Sequence, residues 1–155
     1  MSKSLKRVIT ALESFNLEGR PIEMPGETRT AQQAADAVGC ALDQIAKSII
    51  FGCGDGCALF LTAGGRQVCP DKATALAAMP LTRADANTVR KITGFAIGGV
   101  APVGHVTQSP VWMDRRLLDF TEVWAAAGTP RHVFPINPMD LQLVTGATVA
   151  DFTSS

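Results

Sequence analysis

Between residues 48 and 69 the chain sets three short apolar or β-rich runs, 48–51, 58–62 and 66–69, apart by GCGDG and then by Gly64-Gly65. Runs this short with glycine punctuation read as a meander of hairpins. The flanks are helical. Leu5, Val8, Leu12 and Phe15 recur at helical spacing, so residues ~4–16 form an amphipathic helix ending near Asn16 and Gly19. An extended segment, 21–24, enters the loop Pro25-Gly26-Glu27. Thr30 is an N-cap with Gln33 as its capping-box partner, opening a helix over 31–38 that Gly39 stops. A helical turn occupies 42–46. Helices over 71–79 and roughly 83–93 precede a glycine-rich loop, then strands over 111–114, 121–126 and 132–136. Asn137-Pro138 starts a last helix, which Gly146 ends before a strand at 148–152. Grouped strands, grouped helices and strands again indicate an α+β fold with a mixed or antiparallel sheet, and the failed alternation disfavours a doubly wound fold.

The 155 residues suit one domain spanning 1–155, and 46% hydrophobic content with a slightly positive mean hydropathy excludes disorder. No stretch approaches ~18 uninterrupted apolar residues, and no apolar secretory core follows the N-terminus, so a cytoplasmic location away from membranes is expected. Fourteen basic residues balance fourteen acidic ones, and the halves split at residue 77 balance too, eight against eight and six against six. No basic block exists for tight nonspecific nucleic-acid binding, although a small local patch could still recognise an RNA end. The four cysteines read as reduced thiols, either filling apolar space or inert at the surface. Cys53 and Cys57 flank a turn at CxxxC spacing, which leaves a redox pair as a rival, while neither histidine is local enough to complete a metal site. No metal or cofactor is expected.

Two segments could carry chemistry. Lys47 sits among apolar neighbours where a helical turn hands over to a strand; its ammonium could hold a phosphate or a developing negative charge, or simply snorkel to water. The stretch from Thr93 to His105 mixes Gly and Pro with apolar residues, so Gly98-Gly99 could let exposed backbone N–H groups hold an oxyanion, or serve only as a tight connection. It matches neither a P-loop nor a GxGxxG fingerprint. No GxSxG elbow is present, and Lys47 and Ser48, as strand neighbours, point to opposite faces. His132 reads as structural; His105 is open between structure and function. Asp114 and Asp119, around Arg115-Arg116, read as solvated ion pairs.

Taken together, Ile45-Ala46-Lys47-Ser48-Ile49-Ile50-Phe51, Lys91-Ile92-Thr93-Gly94-Phe95 running into Gly98-Gly99-Val100-Ala101-Pro102-Val103-Gly104, and the stretch from Asp114-Arg115-Arg116-Leu117-Leu118 through Asp140-Leu141 to Thr145-Gly146-Ala147 resemble the YbaK/ProX family of aminoacyl-tRNA deacylases. These are relatives of the editing domain inserted in some prolyl-tRNA synthetases. The likeness runs from Thr30 onward, in order. It implies an α+β domain on a mixed, partly barrel-like sheet wrapped by helices, and a free-standing hydrolase acting in trans on the ester between a wrong amino acid and the tRNA 3′ end. It implies Lys47, Gly98 and Gly99 as the catalytic set, and Thr30, Ala101, Pro102, Gly104, His105 and Ala126 around the substrate. Ala101 and Ala126 stand where serine is frequent, and His105 where apolar or amide residues are, so these departures bear on which amino acid is removed. The implied partner is the aminoacyl-tRNA acceptor end; a synthetase and a second copy of the chain are kept open as further partners. The rival class is a catalytically silent module that binds tRNA or a synthetase.

Overall fold

The computed structural model describes residues 2–154 except 19 and 27; the expected helix stop at Gly19 and the Glu27 position of the early loop therefore lie outside the described residues. Within them the chain forms α1 (Lys3–Ser14), β1 (Ile22–Glu23), α2 (Ala31–Val38), β2 (Ile45–Cys53), β3 (Gly56–Ala63), α3 (Pro70–Ala77), β4 (Leu81–Arg83), α4 (Ala86–Thr93), β5 (Val111–Asp114), β6 (Val123–Ala126), β7 (His132–Ile136), α5 (Pro138–Thr145) and β8 (Thr148–Ala150), with 3-10 turns at Leu42–Gln44, Ile97–Gly99 and Arg115–Asp119. All the strands belong to one mixed sheet, in the order β1-β7-β6-β2-β3-β5-β8, with β4 on β2 outside that path. Hairpin neighbours run antiparallel, whereas β2–β6, β3–β5 and β5–β8 are parallel. The mixed α+β architecture is the expected one.

Local chemistry sets the helix ends. The Thr30 hydroxyl accepts from the Gln33 amide at 3.1 Å while the Gln33 side chain accepts from the Thr30 amide at 3.2 Å, the anticipated capping box. Both faces of the sheet are covered. Leu5, Val8 and Leu12 of α1, Val89 of α4 and Leu141 of α5 pack with Leu59, Leu61 and Met113 into the larger core. On the other face, Phe60 stacks on Trp112 and meets Phe51 and Phe152 edge-on, with Ala73 of α3 beside them. Each such fully buried large side chain contributes about 1.5–3 kcal/mol.

The structure corrects several expectations. β2 begins at Ile45, so Lys47 is the third residue of a strand and the preceding turn is only Leu42–Gln44. Residues 66–69 make no strand; Val68 forms only an isolated bridge to Thr153. β4 was not expected, and α4 starts at Ala86 because the Asp85 carboxylate caps it. Asp114 is no solvated pair. It is 2% exposed and accepts from the Ala63 and Arg116 amides and from the Arg66 guanidinium, whereas Asp119 pairs with Arg116 at the surface. Cys53 and Cys57 lie on opposite faces of the β2–β3 hairpin, since Cys57 is opposite Gly52 and Cys53 opposite Gly56. That geometry disfavours the redox pair.

Candidate active site

The sheet leaves one edge of β2 only partly paired. On that side β6 takes Ile45 and Ala46, and β4 takes Phe51 to Cys53. Among the described residues no strand covers 47–50 there. An open strand edge presents main-chain donors and acceptors to whatever lies beside it. A cleft of about 250 Å³ occupies this gap, and Lys47, Ser48 and Ile49 form its floor. The rest of its wall comes from residues 28–34 at the entry to α2, from Trp124, Ala125 and Ala126 of β6, from Ile97, Gly98 and Val100 of the glycine loop, and from Thr129, Pro130 and His132 of the β6–β7 turn.

Of the expected site residues, Lys47, Gly98, Thr30 and Ala126 meet in this cleft. The Lys47 ammonium donates to the Arg66 carbonyl at 2.6 Å. Partial burial pushes its pKa below the ordinary lysine value, while Asp43 and Asp114 pull it back up. An ammonium has three donors, so the Arg66 bond leaves others to offer. Asp43 is itself held below the usual carboxylate range: burial would raise it, but the Arg116 guanidinium and the Gly65 amide bind its charged form, and Arg66 adds to them.

The paired glycines divide their work. Gly98 is exposed on the cleft, with open space where a side chain would stand. Gly99 is buried, its amide donates to the Ala96 carbonyl at 2.9 Å, and a Cβ there would come within 3.0 Å of the Thr129 Cα. Gly98 thus borders the cleft, while Gly99 allows the loop to lie against the β6–β7 turn.

Four expected substrate contacts are elsewhere. Ala101 and Pro102 are buried behind the loop. Gly104 and His105 line a separate groove along α1. The His105 ring donates from Nε2 to the Ala101 carbonyl and packs edge-on to Phe95, leaving a buried, unpartnered Nδ1. Burial depresses its pKa, and the nearby Arg7 charge adds to this against the Ala101 bond, so a neutral ring fits the site.

Thr28, Arg29, Ser48, Thr129 and His132 of the cleft were not singled out as site residues. The Thr129 hydroxyl is 2.7 Å from His132 Nδ1 and accepts from the Arg131 amide at 3.1 Å. Ser48 Oγ is buried without a partner. A larger cleft of about 340 Å³ lies near the end of α1, but Glu18, Glu122 and Asp140 border it with Arg20 as the one cation among its lining residues. It suits a polyanion poorly.

Residues 25–143 match the family described as aminoacyl-tRNA editing domain. An uncharacterised protein, YwhH of Bacillus subtilis strain 168, is 32% identical over 139 residues, covering 89% of this chain and 88% of that protein. The crystal structure of a candidate trans-editing enzyme for prolyl tRNA synthetase is 46% identical with a TM-score of 0.93, covering 100% of this chain and 99% of that one. The crystal structure of the hypothetical protein APE2540 is 29% identical with a TM-score of 0.85, covering 96% and 99%. The chain belongs to the aminoacyl-tRNA editing domain family.

No helix among the described residues is long and apolar enough to cross a membrane.

Proposed function

We propose that this chain is a trans-editing deacylase that hydrolyses the ester joining a small, wrongly attached amino acid to the 3′ end of a tRNA. The observation that carries the reading is the cleft itself, where a cationic side chain, Lys47, and an unobstructed glycine turn at Gly98 border one small volume at an open strand edge. An aminoacyl ester is already activated, so positioning and oxyanion stabilisation suffice without a protein nucleophile. Water adds to the carbonyl carbon, and the carbonyl oxygen becomes an oxyanion facing main-chain amides of the Gly98 turn. Collapse breaks the bond to the ribose oxygen. That oxygen takes up the proton released by the water, relayed by solvent or by the neighbouring ribose hydroxyl, giving free amino acid and uncharged tRNA. Lys47 holds the terminal phosphate or the carbonyl of the ester on the terminal adenosine.

The walls speak for a small amino acid. The cleft of about 250 Å³ must also hold the terminal ribose, which leaves room for a small side chain, and Thr129 and His132 add polar groups. Alanine, serine, threonine and cysteine are the substrates this favours. One methylene is worth only about 1–3 kcal/mol in a synthetase pocket, so near-isosteres escape the first selection and need a second. The test is a panel of tRNAs charged with these four and with larger amino acids, following loss of the acyl bond against an enzyme-free control. Accelerated release of at least one small amino acid is expected. Binding of the acceptor end with no release would make the chain a silent module instead.

A further inference from the structure

The linear sequence balances its charge in each half, but the fold does not. Three segments, 1–12, 86–113 and 123–139, contain six of the fourteen basic residues and none of the fourteen acidic ones. These 57 residues carry +6, leaving −6 on the other 98. The fold brings parts of the three together around the glycine loop, while Leu12 and residues 135–137 line the acidic cleft near the end of α1. The Arg7 guanidinium donates to the Gly94 carbonyl at 2.6 Å and lies 4.9 Å from the centre of the Phe95 ring. Gly104 packs on the backbone at Arg7, Gly128 on the backbone at Ser4, and Gly99 on Thr129, each so closely that an added Cβ would stand 3.0 Å or less from it. Among the described residues, the cations in ion pairs are Arg20, Arg66, Lys72 and Arg116, and all four lie outside these segments.

We infer that this end of the molecule is the docking surface for the RNA backbone of the substrate. Lys3, Lys6 and Arg7 of α1, Arg90 and Lys91 of α4, and Arg131 of the β6–β7 turn would contact successive phosphates. Gly98, Val100 and Thr129, which wall the cleft, belong to the same segments, and Arg131 follows Pro130 on the cleft wall. An RNA whose 3′ end enters the cleft therefore leaves it directly onto this surface. Phosphate contacts position a nucleic acid without reading its sequence, and they make affinity salt-dependent. The inference rests on the proposed editing reading, which identifies RNA as the polyanion.

The test compares Lys6→Glu/Lys91→Glu with Arg83→Glu/Arg115→Glu, all exposed side chains, the second pair outside the three segments. Binding of uncharged, fluorescently labelled tRNA is followed by anisotropy over a salt series, alongside hydrolysis of the matching aminoacyl-adenosine, which lacks the RNA body. The first pair should weaken tRNA binding by about tenfold or more at low salt and make the log–log salt slope shallower by about two. Hydrolysis of aminoacyl-adenosine should be unchanged, which also reports an intact fold. Equal losses from both pairs, or no loss from the first, would overturn the surface. Uncharged tRNA needs no chemistry to bind, so a chain that docks tRNA here yet hydrolyses no ester would overturn the editing reading and leave the surface standing.

Discussion

His105 shows how one side chain near a glycine loop can serve the fold without reaching the cleft. Its Nε2–H is engaged by the Ala101 carbonyl, so protonation would place a new donor at the buried, partnerless Nδ1 and a charge near Arg7. The folded pKa thus lies below the ordinary 6.5. As pH falls through about 6.5 the unfolded chain takes up this proton before the folded one does, so the neutral ring's contribution is full above that value and is lost below it. Thermal melts from pH 7.5 to 5 should show wild-type stability falling with a steeper slope than His105→Gln, whose amide can still donate to Ala101. Identical slopes would mean that the ring titrates freely in the folded protein. Lys47 is the converse case, a residue whose candidacy was legible from its apolar neighbours but whose surroundings were not. Asp43 is close in sequence; Arg66 and Asp114 reach it only once β2, β3 and β5 have paired.

Among the elements, the 3-10 turn at Ile97–Gly99 separates two roles that identical neighbouring residues conceal. Gly98→Ala meets open space and Gly99→Ala meets the Thr129 backbone, so the variants should part company. Gly99→Ala should destabilise by about 1–3 kcal/mol, read as a lower denaturation midpoint. Gly98→Ala should melt as the wild type does while altering the steady-state constants for ester cleavage. Equal melting losses would remove the distinction. The capping box of α2 and strands β5 and β7 were legible because their signals are local: Thr30 and Gln33 are three residues apart, and glycine, proline and asparagine mark the loops. β4 was not, since Leu81–Arg83 owes its extended state to the far end of β2. Nor was the failure of residues 66–69 to form a strand, because Val68 has only Thr153 to pair with.

At the scale of the molecule, the parallel joining of β6 to β2 builds the cleft from chain segments nearly eighty residues apart. Thr30, Lys47, Gly98 and Ala126 could be assembled beforehand through family resemblance. Ser48, Thr129 and His132 could not, because their place depends on where β2 lacks a neighbour and on how Gly99 seats the β6–β7 turn. Charge behaves likewise. Counting along the chain finds neutrality, whereas folding brings parts of the acid-free segments into contact beside the cleft. The central claim is that this cleft breaks an acyl bond with Lys47 and main-chain amides alone. Its most direct measurement is the single-turnover rate of amino acid release from a mischarged tRNA by wild type and by Lys47→Ala, with tRNA affinity and melting temperature recorded beside it. We expect the rate to fall by roughly 100-fold or more, the scale of losing one transition-state donor, with melting nearly unchanged and any loss of affinity much smaller than the loss of rate. An undiminished rate would place the chemistry outside this cleft's lysine.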